Sequence, residues 1–413
     1  MSAMSRFHPL LAASLVFSLL PSLADAQQWT RFRGPNGSGI AQTANIPLQW
    51  TETDYNWKIQ LPGKGHSSPV LWGDRVFLTS CDTETAKRIL LCLNTADGSL
   101  RWKREFPSKT YRQHGDNSYA SSSPALDDRH VYVAWTTPDE YTLRALDHDG
   151  KDVWQISLGR YTSQHGSGAS PIVFQDLVIL TNDQEGPESY ILAVDRLTGQ
   201  TRWKSPRRST SMAASTPCIY MPPGKPPQLI LTSRTEGVTA LDPLTGKLIW
   251  QAPDAFAWRV IASPVVADGL IIGHCGEGPN GKGLVAVRPP ATGDKAEVAW
   301  KMVNRSPYVP TSLAKGDLLF TLADSGTLSC LRAATGQVLW QERIGGSYYS
   351  SPICIGDHLY CISKKGEVLI FSATEKYELL ARNPLPELCY ATPAVADGRL
   401  YIRTLSHLVS IGK

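Results

Sequence analysis

The chain lacks most of the features that would declare a chemistry. It has no Cys-x-x-Cys and no Cys-x-x-Cys-His, which excludes a covalently attached haem of that type. None of its eight cysteines, Cys81, Cys92, Cys218, Cys275, Cys330, Cys354, Cys361 and Cys389, has a vicinal partner. Cys354 and Cys361 flank a turn at Gly356-Asp357, which leaves a disulfide between adjacent strands open for that pair, and small buried thiols are the reading for most of the rest. No Ser-His-Asp arrangement or paired-carboxylate motif stands out. Gly166-Ser167-Gly168 and Gly276-Glu277-Gly278 are turn glycines between strands, not phosphate-cradling loops that enter a helix. A dominant charge sign is missing too. Lys and Arg number 41 against 37 Asp and Glu, a net charge of +4. Arg207-Arg208 and Lys364-Lys365 are isolated pairs that read as solvated loop residues, so a nucleic-acid partner is excluded. The one long apolar run, Leu10 to Leu20, is too short to span a bilayer.

What is present is a repeat. Asp97-Gly98 leads to Trp102, Asp149-Gly150 to Trp154, Thr198-Gly199 to Trp203 and Thr245-Gly246 to Trp250. Thr292-Gly293 leads to Trp300 after an insertion, Thr335-Gly336 to Trp340, and Thr374-Glu375 to Leu380 is a degenerate copy. Between them stands a Ser/Thr/Ala-Ser/Thr-Pro anchor, at Pro69, Pro124, Pro171, Pro217, Pro264, Pro352 and Pro393, with Ser312 in place of one proline. Eight readings at about 40 to 55 residues mean a repeat architecture. Within Pro171 to Trp203, three apolar runs separated by turn residues precede the tryptophan strand, and nothing falls at helical spacing. The expectation is all-β: an eight-bladed β-propeller of four-stranded antiparallel blades. Trp57, Trp102, Trp154, Trp203, Trp250, Trp300 and Trp340 then cover the packing between neighbouring blades.

After Pro393 only three strands remain, while Tyr55 to Ile59 reads as a lone fourth strand. The N-terminal strand is therefore expected to complete the last blade and leave no open edge. Residues 1–26 read as a secretory signal peptide, with Arg6, the Leu10 to Leu20 core and an Ala24-Asp25-Ala26 cleavage site. No cysteine follows that site, which speaks against a lipid anchor and for a soluble periplasmic or extracellular monomer. Residues 27–63 are then an N-terminal strap plus the ring-closing strand, and 64–413 the propeller.

The pattern Ala-x-Asp-x-x-Thr-Gly-x-x-x-Trp, complete at Ala193 to Trp203 and Ala240 to Trp250, resembles the tryptophan-docking motif of pyrroloquinoline-quinone (PQQ)-like β-propeller repeats. No Trp-Asp dipeptide occurs, which argues against the WD40 class. The N-terminal segment Trp29 to Gly39 and the ending from Ala391 to Leu408 are similar to those of exported single-domain PQQ-like proteins of the BamB-like group. With the leader, the ring-closing repeats and no recognisable catalytic constellation, the expectation is a binding or scaffold module of the bacterial envelope without catalysis. Its partners would be envelope proteins, an extracellular polymer or a small ligand. Two alternatives come with the resemblance. One is a PQQ-dependent alcohol or sugar dehydrogenase with PQQ and Ca²⁺ over the central channel, for which no ligand set matches here. The other is a BamB-like adaptor in outer-membrane protein assembly.

Candidate site residues come from the loops just before each anchor, which cluster at the channel mouth. They are His66, His114, Asn117 and His165, with Arg259, Tyr308, Tyr348, Tyr349 and Tyr390 further round. Three histidines facing Arg259 could form an open metal or anion site. The same residues could instead satisfy backbone groups beside a wet channel, and no metal or catalytic residue is assigned. Asp183, Glu185 and Glu188 read as a solvated loop rather than a Ca²⁺ site. Asn36 to Gly39 fits an anion cradle or a turn. The Arg31-Phe32-Arg33 triplet either plugs one mouth of the channel or lies across a blade.

Overall fold

The computed structural model describes residues 28–413 apart from 43–45, 138, 187, 210, 278, 279, 304 and 305, so the leader read at 1–26 lies outside the described residues. Blade 1 consists of Val70–Trp72, Arg75–Cys81, Arg88–Asn94 and Leu100–Phe106, each pairing antiparallel with the next. Six further meanders follow in chain order. Blade 8 has Ala394–Ala396, Arg399–Arg403 and His407–Gly412, and its fourth strand is Tyr55–Gln60, antiparallel to His407–Gly412. The N-terminal strand closes the ring.

The apolar runs follow from this geometry. In blade 3, Leu177–Asn182 and Ser189–Asp195 are buried on both faces, because a neighbouring blade covers each. Its outer strand, Thr201–Arg207, alternates exposed and covered positions. The turn before it needs the positive φ of Gly199, at 72°, and the strand enters through a bulge between Ala193 and Val194.

The Ser/Thr before each proline has a specific task. Ser68 N–H donates to Ser123 Oγ (2.9 Å), Ser123 N–H to Ser170 Oγ (3.0 Å), and Ser170 N–H to Thr216 Oγ1 (3.2 Å). Thr216 N–H donates to Ser263 Oγ (3.1 Å), Ser263 N–H to Thr311 Oγ1 (3.0 Å), and Thr311 N–H to Ser351 Oγ (3.0 Å). Ser351 N–H reaches Thr392 Oγ1 (3.0 Å), and Thr392 N–H returns to Ser68 Oγ (3.1 Å). This closed ring of eight hydrogen bonds ties each blade to the next around the axis. Each bond contributes about 0.5–1.5 kcal/mol net and removes an inner-strand amide that would otherwise be buried without a partner.

The tryptophans tie the ring at larger radius. Trp57, Trp102, Trp154, Trp203 and Trp300 lie against Gly98, Gly150, Gly199, Gly246 and Gly336 of the following blade, where a Cβ would collide with the indole. Their Nε1–H groups donate across the boundary to Thr95, His148, Arg196, Pro243 and Ala333 carbonyls at 2.9 to 3.0 Å. At Trp340 the glycine is replaced by Glu375. The indole still reaches Thr374 O (3.3 Å), and Tyr377 packs edge-on against it. Trp250 covers the boundary with blade 5 as expected, in one core with Ile271, Val285 and Val287, but through different contacts. It is fully buried but donates to Gln228 Oε1 of its own blade (2.8 Å), and no atom lies over Gly293. The insertion before Trp300 is the reason. Its Asp294 carbonyl accepts from Gln251 N–H (2.8 Å), Ala296 N–H donates to Gln251 O (3.0 Å), and this segment covers Trp250 instead.

All eight cysteines are free and buried. Asp183 and Arg207 do not occupy the solvated loops expected for them. Both are buried and pair with each other at 2.9 Å.

Candidate functional site

The strap settles which end of the channel is closed. Trp29, fully buried, bridges to Leu71 of blade 1, and Thr30 O accepts from Leu126 N–H of blade 2 (2.7 Å). Asn36 exchanges two hydrogen bonds with Ile219 of blade 4 (2.7 and 2.8 Å), and Ile40–Ala41 pairs parallel with Ile353–Ile355 of blade 7. Asn36 to Gly39 is thus a turn of the strap. Arg31 and Arg33 are buried beneath the ring. Arg31 Nη2 donates to Pro217 O (2.6 Å), while Arg33 donates to Ser312 O (3.0 Å) and Pro352 O (3.3 Å). Of the two placements open to the triplet, plugging the channel is the one observed, and Phe32 between the arginines lines the floor of the cavity above.

That cavity measures about 740 Å³. The hydroxyl ring forms its waist, and the loops before the anchors form its mouth. His66, His114, Asn117 and His165 line it, as do Arg259, Tyr308, Tyr349 and Tyr390. Tyr348 does not. Its side chain is buried in the apolar core shared by blades 6 and 7, while its neighbour Tyr349 faces the cavity.

The two Gln-His-Gly loops are tied to each other. His114 N–H donates to His165 O (3.2 Å), and Asn117 Nδ2 donates to His165 O (2.6 Å). The two imidazoles stand 5.8 Å apart. His66 is stacked on Tyr390 instead, with centroids at 4.3 Å and planes within 13°. Burial, helped by the nearby Arg403 charge, pushes His66 down to about 4, so it is neutral at physiological pH. The three histidines therefore do not converge. Among the described residues no group of three or more His, Cys, Asp or Glu is placed to hold a metal ion.

Sequence reasoning missed the charged pairs at the mouth. Asp116 accepts from Lys364 Nζ (2.7 Å) and from Tyr349 Oη (3.0 Å), joining the blade 1–2 loop to blade 7. Burial acts to raise its pKa, but these two donors outweigh it and hold the carboxyl below the usual range. Lys364 Nζ also lies 4.5 Å from the Tyr349 ring centroid, so it is no solvated loop lysine. Asp324 accepts from Lys282 Nζ (3.2 Å) and from the Tyr308 and Val309 amides (2.8 and 3.2 Å). Only the repeat register could have flagged these residues, since Lys364 and Asp324 begin corresponding hairpin turns.

A Ca²⁺–PQQ pair does not fit this donor set. Ca²⁺ takes six to eight oxygen ligands, usually including carboxylates. Both cavity carboxylates are already held by a lysine and by further donors.

The family described as outer membrane protein assembly factor BamB matches residues 48–220 and 281–409. Among curated proteins, none matches the sequence. Solved structures resemble it in fold. BamB from Moraxella catarrhalis is 15% identical with a TM-score of 0.63, covering 86% of this chain and 98% of its own. Quinohemoprotein alcohol dehydrogenase from Comamonas testosteroni is 13% identical with a TM-score of 0.63, covering 93% and 80%. Sqt1 from Saccharomyces cerevisiae is 9% identical with a TM-score of 0.62, covering 87% and 98%. No helix of the described residues is long and apolar enough to cross a membrane.

Proposed function

The chain belongs to the BamB-like family of PQQ-type repeats, and from that premise we propose that it is a non-catalytic binding module of the bacterial envelope. Its ligand occupies the blind central cavity. The carrying observation is the cavity itself: a floor sealed by the strap, a mouth open between loops, and carboxylates held in ion pairs rather than free for proton transfer or metal binding. Concave sites of a few hundred Å³ with a few placed polar groups are the usual form of a ligand pocket. Export and the lack of a lipid anchor are part of this reading, and rest on the leader pattern of residues 1–26.

Ala214 lines the cavity wall, and Ala214→Trp would project an indole into the ligand space. Saccharides, short peptides and carboxylic acids are screened by thermal shift on the wild type and on this variant. A stabilisation present only in the wild type supports the reading. Stabilisation that survives in the variant, or none at all, refutes it. Electron transfer to an artificial acceptor on adding PQQ and Ca²⁺ would favour the dehydrogenase instead. The family match favours one second reading, an adaptor in outer-membrane protein assembly. Barrel-assembly components retained by the wild type and by Ala214→Trp alike would support that role.

A further inference from the structure

The waist of the cavity is a closed ring of hydroxyls. Ser68, Ser123, Ser170 and Thr216 are each at least 98% buried, as are Thr311 and Ser351. Ser263 and Thr392, at 6% and 3% exposure, complete the ring. All eight line the cavity. Each hydroxyl oxygen accepts one amide N–H from the adjacent blade. The hydroxyl's own proton has no acceptor among the described residues. Each can therefore donate into the cavity, to water or to a ligand acceptor.

The charge around the waist has one sign. Arg31 and Arg33 hold the carbonyls of Pro217, Ser312 and Pro352, each belonging to a waist hydroxyl's neighbour in sequence. Arg403, fully buried, donates to Ser67 O (3.2 Å) and Ser67 Oγ (3.1 Å), beside Ser68. Among the described residues none of these three guanidiniums is in an ion pair, and their partners are neutral oxygens. Burial lowers them only to about 10, 9 and 10, so all are charged at neutral pH. The neighbouring His274, fully buried, is pushed to about 3 by burial and by Arg33, and adds no charge. The cavity carboxylates, Asp116 and Asp324, are neutralised by Lys364 and Lys282. Three buried cations in a low-dielectric wall set up a positive potential at the waist that salt screens poorly.

The mouth has a different character. His66 and Tyr390 stack, and Tyr349 stands edge-on to Tyr390 at 5.9 Å. These rings are amphipathic, and Lys364 Nζ, 4.5 and 5.2 Å from the Tyr349 and Tyr390 centroids, adds a cation among them. The space between mouth and waist is far larger than an inorganic oxyanion needs.

Resting on the cavity reading above, we infer that the ligand is an acidic saccharide. Its carboxylate, sulfate or phosphate group enters the waist against the ring of hydroxyl donors, and its sugar body lies at the aromatic mouth.

The test is isothermal titration of the full chain with digalacturonic acid, N-acetylglucosamine 6-sulfate, glucose 6-phosphate, cellobiose, sulfate and citrate. The same titrations are run on Ala214→Trp and on Thr216→Val with Thr311→Val, which keep side-chain shape but delete two hydroxyls. At least one acidic saccharide is expected to bind tenfold or more tighter than cellobiose. Its affinity is expected to drop at least fivefold in the double variant and to vanish in Ala214→Trp. Equal binding of cellobiose would overturn the anion requirement and leave the cavity reading standing. Equal binding of sulfate or citrate would overturn the saccharide body. Acidic-saccharide binding that survives Ala214→Trp would overturn the cavity reading itself. No saccharide bound at millimolar concentration would overturn the inference. If the double variant fails to fold, the wild-type selectivity and the Ala214→Trp block decide alone.

Discussion

Two glycines at the same repeat position provide an internal control on what the docking tryptophans contribute. Gly246 and Gly293 both follow threonine, and both have left-handed backbone, with φ of 69° and 82°. A Cβ at Gly246 would lie 2.5 Å from Trp203 Cε3, whereas one at Gly293 would meet nothing within 4 Å. Gly293→Ala should therefore cost only the left-handed penalty, about 1–2 kcal/mol. Gly246→Ala carries the same penalty and must also push Trp203 back by roughly 1 Å to reach ordinary contact. Displacing a close-packed buried indole costs about 1–3 kcal/mol. The Trp203 Nε1–Pro243 O bond at 3.0 Å is lost with it, a further ~1 kcal/mol. The expected totals are about 3–6 kcal/mol for Gly246→Ala against about 1–2 kcal/mol for Gly293→Ala. Urea denaturation followed by tryptophan fluorescence, with near-ultraviolet circular dichroism as a second probe, reads both. Equal destabilisation by the two substitutions would refute the claim that the indole–glycine contact carries blade docking.

Other perturbations follow from the same geometry. His66 and His274 have folded values near 4 and 3 against an ordinary 6.5, so the unfolded chain takes up their protons first. Their stabilising contribution is complete above about pH 6.5 and is lost as pH falls towards 4 and then 3. Thermal midpoints should decline over that window, and a histidine titrating near 6.5 by NMR at either position would contradict it. All eight thiols are buried, and burial raises Cys218, Cys361 and Cys389 above the ordinary thiol range. The native protein should resist an aromatic disulfide reagent until denatured, and reductant should leave the unfolding midpoint unchanged. Asp116→Asn removes the tie to Lys364 and should speed amide exchange in residues 113–117. The pair is partly exposed and worth about 1 kcal/mol or less, so global stability should barely move. Unaltered exchange there would show that the loop is held by Asn117 and the His165 carbonyl instead.

The repeat, the blade count and the closure of blade 8 by Tyr55–Gln60 were legible because each is written in local pattern. A glycine at left-handed φ, a proline at the start of an inner strand and a tryptophan at fixed spacing are demands of single strands and turns. The burial of Trp250 between blades was legible too, but its hydrogen-bond partner was not, because that depends on where the insertion before Trp300 goes, and an insertion's path is not periodic. Tyr348 was misjudged for a simpler reason: one residue of register exchanges cavity for core.

The site divides along the same line. The sequence determined which loops approach the axis, since every Ser/Thr-Pro anchor brings its preceding residues to the mouth. Tertiary structure alone decided that eight separate hydroxyls form one ring, that Arg31 and Arg33 sit beneath it, and that Asp116 meets Lys364 across 248 positions of chain. Those contacts join residues whose only relation is angular position around the axis. Propensity and periodicity act over a few residues, whereas closing the ring fixes partners hundreds of residues apart, and charge then chooses among them.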